Sequence, residues 1–147
     1  MKAFEYLEHT ADVKFKAYGE TLEQAFSNAA LALATVITEP KKIKPIKKEK
    51  IKVIAKGEDL KALLYKFLEE LLVLLDSKSF LLHSVEKIKI DEKNLILEAE
   101  LTGDKVKESY EQKMHVKAVT YAEMDIKIIK DKKSNRSSYE LTVVIDI

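Results

Sequence analysis

The chain has 147 residues, 46% apolar and 35% charged, with a net charge of +1. That length suits one compact domain, residues 1–147, with enough apolar residues for a real core. Near-neutrality argues against a protein that lives on a phosphate backbone, while leaving room for a local basic patch. The lack of cysteine excludes disulfides, thiolate metal sites and a cysteine nucleophile.

Lys2 is followed by no apolar run, so no leader is expected. No segment reaches bilayer-spanning length, so the expected location is the cytoplasm, away from membrane. The first stretch, FEYLEHTADVKFKAYG at 4–19, is strand-like. Over 12–18, Val13, Phe15 and Ala17 alternate with Asp12, Lys14 and Lys16, the mark of a half-buried strand that Gly19 ends. Thr21 and Gln24 form a capping-box pattern. The helix they open runs to about Ile37 and buries Leu22, Ala25, Phe26 and Ala29 early. Its later turns, AALALATVI, are apolar nearly all round, and Pro40 closes it.

Residues 41–56 are lysine-rich, then alternate through Ile51, Val53 and Ala55. This reads as an edge strand, with Pro45 marking the side that accepts no inner neighbour. The lysine run at 41–52 reads as the guard of that edge, with RNA contact as the second reading. Gly57 breaks the chain, and Glu58 and Asp59 suit the positive end of a helix dipole. In the second helix, DLKALLYKFLEELLVLL, Leu60, Leu63, Leu64, Phe67, Leu68 and Leu71 begin a wide apolar arc. Strands follow at roughly 82–90, 94–102, 114–121, 124–130 and 138–146, with turns at Asp91–Lys93 and 131–138.

One apolar stripe is enough for a helix on one sheet. Two helices apolar around much of their girth want cover on more than one side. Two helices with about seven strands cannot build a doubly wound parallel sheet. The expected class is α+β: two helices between two mostly antiparallel sheets, a β/α/β three-layer sandwich, with a single helix-on-sheet layer as the fallback.

The candidate chemistry sits at the two ends of the chain. Asp12 starts one strand and Asp146 ends another, both in the polar register. Were those strands antiparallel neighbours, the two carboxylates and the terminal carboxylate of Ile147 would converge. Three anions repel unless a cation lies between them, and hard oxygen ligands select calcium, magnesium or manganese over zinc. The plainer reading is that Asp12 caps a turn and Asp146 sits in solvent. His9 is either a donor to the same site, a base, or simply packed. His83 and His115 read as structural or surface residues. In VKAVTY, 116–121, Lys117 and Thr120 fall on a strand, and a lysine near paired carboxylates could bind phosphate or a partner's acid. There is no Gly-x-Ser-x-Gly, P-loop or dinucleotide fingerprint, and three glycines in all leave no glycine-rich phosphate cradle.

FEYLEHTADVKFKAYG, TLEQAFSNAALAL, GEDLKALLYKFLEELL, KAVTY and the closing VVIDI, in this order over essentially the whole chain, resemble the archease family. The resemblance implies the sandwich fold and a non-enzymatic, metal-binding activator of the RtcB-type RNA-splicing ligase in tRNA maturation. That ligase joins 3′-phosphate or cyclic-phosphate ends to 5′-hydroxyl ends through a guanylylated histidine, and the activator speeds guanylylation and permits turnover. The implied metal ligands are Asp12, Asp146 and Ile147, with a divalent cation, calcium first and manganese or magnesium next. His9 lies in the same motif, and Lys117 is a candidate for touching the partner, with RNA contact indirect. Ala122 stands where several family members have histidine, so no role is assigned there. Two other readings are a chaperone or specificity modulator of a tRNA methyltransferase and a metal-dependent hydrolase acting alone.

Overall fold

The computed structural model describes residues 2–8 and 11–147. In order it contains β1 (Phe4–Leu7), β2 (Asp12–Gly19), α1 (Leu22–Ile37), a 3-10 turn (Pro40–Lys42), β3 (Lys47–Ile54), α2 (Leu60–Lys78), β4 (Phe80–Asp91), β5 (Ile96–Lys105), β6 (Ala118–Lys130) and β7 (Ser137–Asp146). One sheet is ordered β1-β2-β7-β6 and the other β3-β5-β4, with every pairing antiparallel. Helix α1 touches β2 and β7 of the first sheet and β4 of the second, and α2 touches β6 of the first and β3, β4 and β5 of the second. The helices therefore fill the space between two sheets, as the width of their apolar faces predicts.

Local signals set the helix ends. The Thr21 hydroxyl accepts from the Gln24 N–H (3.1 Å), and the Gln24 side chain accepts from the Glu20 N–H (2.6 Å), one residue earlier than in an ideal capping box. The Asp59 carboxylate caps α2 at the Ala62 N–H, 2.9 Å. Ser79 closes α2 with a left-handed φ of 54°. Gly19 is required by contact: a Cβ there would lie 2.3 Å from the Ala25 nitrogen, so β2 ends against the first turn of α1.

Of the α1 residues only Gln24 is exposed. In α2, Leu63, Leu64, Phe67 and Leu68 are fully buried and Leu71 nearly so. The two helices meet through the stacked rings of Phe26 and Phe67, 6.2 Å apart. One contiguous core joins the inner faces of both sheets to both helices.

Three expectations change. FEYL is a separate strand, β1. The expected strands 114–121 and 124–130 are one strand, β6, interrupted by a bulge, and residues 114–117 precede it. The Lys113 N–H donates to the Ile37 carbonyl (2.7 Å), which holds this approach against the end of α1 and out of the sheet. Lys117 accordingly lies one residue before the strand. Finally, β3 is an edge strand as expected, but it starts at Lys47. Pro45 and the lysines before it lie in a loop, because Pro40 turns the chain through the 3-10 turn and Ile43 inserts into the core, 2% exposed.

That loop is pinned by Asp104. Its carboxylate, 2% exposed, accepts from the Tyr110 hydroxyl (2.7 Å), the Lys105 N–H (2.8 Å) and Lys107 Nζ (3.0 Å). The Tyr110 hydroxyl in turn accepts from the Lys44 N–H, 3.2 Å. These donors, the Tyr110 hydroxyl foremost, hold the Asp104 carboxyl down at about 2 against an ordinary 3.8.

Two outcomes are expected. Leu63→Ala should lower unfolding free energy by about 2–5 kcal/mol, and a urea titration giving less than about 1 kcal/mol would contradict the two-sided cover. A carboxyl whose folded pKa is depressed contributes stability that is present above its unfolded pKa and lost as pH falls through the folded one. Asp104→Asn should therefore be less stable than wild type at neutral pH. The gap should narrow as pH falls from about 4 to about 2, read by urea unfolding across that range.

Candidate metal centre at one end of the first sheet

β7 is the spine of this site. It lies between β2 and β6, with Asp12 opposite Asp146 on one side and Ala118 opposite Asp146 on the other. The Lys117 N–H donates to the Asp146 carbonyl at 2.8 Å. The start of β2, the start of β6 and the end of β7 thus form one row, with Lys117 exposed beside it. The Ile147 side chain packs against the core, so the residue after Asp146 is anchored.

Residues directly opposed in an antiparallel sheet place their side chains on the same face, and like charges so placed destabilise the pair. Inward-facing Leu141, Val143 and Ile145 leave Thr142, Val144 and Asp146 on the outer face. Asp12, Lys14 and Lys16 share that face. A cation between two carboxylates offsets their repulsion, and this donor set is of the hard oxygen kind.

Among the described residues, no three His, Cys, Asp or Glu side chains form a group able to hold a metal ion. The structure brings together Asp12 and Asp146, with Ile147 adjoining in sequence. His9 lies outside the described residues. His83 is half-buried, with Nδ1 3.0 Å from the Pro40 carbonyl, and His115 is exposed, matching their reading as structural and surface residues.

The bulge in β6 holds side chains whose placement the sequence did not show. Pairing skips from Thr120–Val144 to Asp125–Thr142, so four residues of β6 face one of β7. Glu123 takes a left-handed φ of 53°. Its carboxylate meets Lys14 Nζ at 3.0 Å, joining β6 to β2 across the central strand. Val144, in the row between them, is 1% exposed although it faces outward. The Thr120 hydroxyl donates to the Val144 carbonyl, 2.8 Å. Tyr121 stacks on Tyr65 of α2, with centroids 4.3 Å apart and planes 8° apart, tying the bulge to the helix layer. Desolvation in this stack pushes both phenols above their ordinary pKa. The only sequence trace of the bulge was the gap at 122–123 between two apparent strands.

The remaining observations come from known proteins. Residues 4–147 match the model of the Archease protein family. A protein named archease from Sulfurisphaera tokodaii is 43% identical over 148 residues, covering all of both chains. One from Pyrococcus abyssi is 44% identical over 133 residues, 89% of this chain and 92% of its own. The solution structure of protein 1598 of Methanobacterium thermoautotrophicum superposes with a TM-score of 0.79 at 33% identity, covering both chains fully. With a family match running from β1 to the last residue, and relatives this similar along their whole length, the chain belongs to the archease family.

Proposed function

We propose that this protein is a non-catalytic, metal-carrying activator of an RtcB-type RNA ligase that joins 3′-phosphate and 5′-hydroxyl ends in tRNA splicing. Family membership supports the reading. The observation that carries it is the direct cross-strand pairing of Asp12 with Asp146 at the sheet end flanked by Lys117 and Ile147.

In this reading Asp12, Asp146 and the Ile147 carboxylate hold one divalent cation, calcium first, with manganese and magnesium as alternatives of the same hard class. The cation adds positive charge where the ligase must manage a GTP triphosphate and a histidine nucleophile. Lys117, exposed beside the carboxylates, presents a point charge to an acidic or phosphate group of the ligase complex. The Lys14–Glu123 pair links the strands on both sides of β7 beside the carboxylate row. Activity then comes from docking this edge near the ligase active site rather than from a reaction on this chain.

Multiple-turnover ligation of a 3′-phosphate RNA by a cognate ligase, with GTP and a divalent metal, tests the reading. A trace of this protein should accelerate many turnovers, and the protein alone should ligate nothing. Equal rates with and without it would discard the activator and promote a role beside a tRNA methyltransferase.

The cation site has its own test. Asp12→Ala, Asp146→Ala and a few residues appended after Ile147 should each weaken calcium and manganese binding in calorimetric titrations. They should also abolish activation, with little change in melting temperature, since they alter a strand end rather than the core. Asp12→Asn keeps the shape and removes the charge, separating electrostatics from geometry. Wild-type binding and activation by both the extended protein and Asp146→Ala would refute the ligand set.

A further inference from the structure

The lysine run divides in the folded chain. On β3, Lys50 and Lys52 are matched across the strand by Glu100 (4.0 Å) and Glu98 (3.5 Å), and Lys87 of β4 approaches Glu100 from the other side (3.5 Å). Those lysines fit the guarded-edge reading. Lys41, Lys42 and Lys44 do not, since they precede the strand and guard no edge. Together with Lys47, Lys48 and Lys105 they are exposed, and among the described residues none has a carboxylate within ion-pair distance.

Several nearby acids are already engaged, while Glu86, which borders a depression with Pro45 and Lys48, meets only the Ser84 and Thr102 hydroxyls among the described residues. Glu49 meets Lys78 (3.1 Å), Asp104 is taken by Tyr110 and Lys107, and Glu39 meets Lys113 (3.5 Å). Register places Lys47 against Gly103 and Lys105 against Phe80, so the basic loop continues onto the ends of two strands. A depression of about 260 Å³ lies there, bordered by Lys47, Lys48 and Lys105 together with the Glu49–Lys78 pair and Phe80. The platform is rigid. Pro40 accepts from the Ile43 N–H (3.1 Å), Ile43 is in the core, and the Lys44 N–H is bonded to Tyr110.

We infer that this loop and the adjoining strand ends bind the phosphate backbone of RNA, at a surface separate from the carboxylate row. The chemistry is that of repeated point charges. Lysine carries a compact charge without the forked geometry of arginine that reads base edges. The chain has a single arginine-bearing segment on the far hairpin, at Arg136, and the patch offers no exposed aromatic ring on which a base could stack. Contact is therefore to phosphates and independent of sequence. With a net charge of only +1, attraction comes from this patch at short range, because salt screens charges beyond about 8 Å at physiological strength. An acidic protein segment is the competing occupant. Ile46, 57% exposed, is a lone large apolar side chain among these lysines, and their repeated charge favours the simpler polyanion. That the nucleic acid is RNA rests on the ligase reading; the polyanion chemistry does not.

The experiment is fluorescence anisotropy of a labelled RNA hairpin with the full-length protein, at low and moderate salt. Three phosphate contacts predict a roughly 20- to 40-fold loss of affinity between about 50 and about 200 mM salt. The combined variant Lys44→Glu, Lys47→Glu and Lys48→Glu should weaken binding by more than about tenfold at low salt. The combined variant Lys130→Glu, Lys132→Glu and Lys133→Glu changes net charge equally on the far hairpin and should bind as wild type. Melting curves check that both are folded. Equal losses in the two variants, or a flat salt response, would overturn the proposal. Displacement of the RNA by a polyglutamate peptide at equal charge concentration would assign the surface to an acidic protein, and equal competition by a DNA hairpin would remove the assignment to RNA. A loop variant that loses RNA binding yet still activates the ligase supports two separate surfaces. A wild type that binds RNA without activating any ligase would sink the ligase reading and leave the polyanion surface standing.

Discussion

Everything in this fold follows from a helix that cannot face water. Helix α1 carries Ala25, Phe26, Ala29, Ala30, Ala32, Leu33 and Ala34 on several sides, all buried. A helix apolar all round must be covered all round. The alanines also let backbones approach closely, which is how a sheet can lie on each side of the same layer. Its mouth at Gly19 is so tight that no Cβ fits against Ala25. Once α1 is enclosed, the two sheets have fixed positions, and the chain ends that complete the first sheet are fixed with them.

That first sheet is built from distant parts of the sequence. β2 lies near the start of the chain, β7 at its end, and they are neighbours along their full length from Asp12–Asp146 to Gly19–Tyr139. β7 is buried on its inner face by the core and on its outer face in the rows of Thr142 and Val144. Cover on the outer side coincides with the bulge, whose Glu123 reaches Lys14 and whose Tyr121 reaches Tyr65. The result is a central strand held from both flanks, ending in a carboxylate whose cross-strand neighbour is another carboxylate.

Charge is separated as deliberately as apolar surface. The outer face of the second sheet interleaves lysine and glutamate rows, with Lys50 and Lys87 sharing Glu100 and Lys52 meeting Glu98. Lys41, Lys42 and Lys44, unmatched among the described residues, lie between α1 and β3, where the buried Asp104 and Ile43 hold the chain. A chain of net charge +1 can therefore present one acidic edge and one basic loop. Average charge describes neither.

By itself the sequence determined the elements whose signals are local. The Thr21 cap, the acidic Glu58 and Asp59 before α2, the periodicity of α1 and α2, the alternation in β2 and the turn expected at 131–138 depend on neighbours within a few residues, although Ser137 and Ser138 of that turn already belong to β7. The resemblance of its EHTAD and VVIDI blocks to one family also pointed to Asp12 and Asp146 together. What only the tertiary structure decided was pairing and register. Strand order depends on contacts between residues over a hundred positions apart, and alternation cannot say which strand lies beside which. The bulge in β6 looked like two strands because its three extra residues break the alternation while leaving the strand's neighbour unchanged. The lysine run looked uniform because charge type is written in the chain, whereas the carboxylates that neutralise Lys50 and Lys52, and leave Lys44 and Lys48 without one among the described residues, arrive from β5 only when the sheet forms.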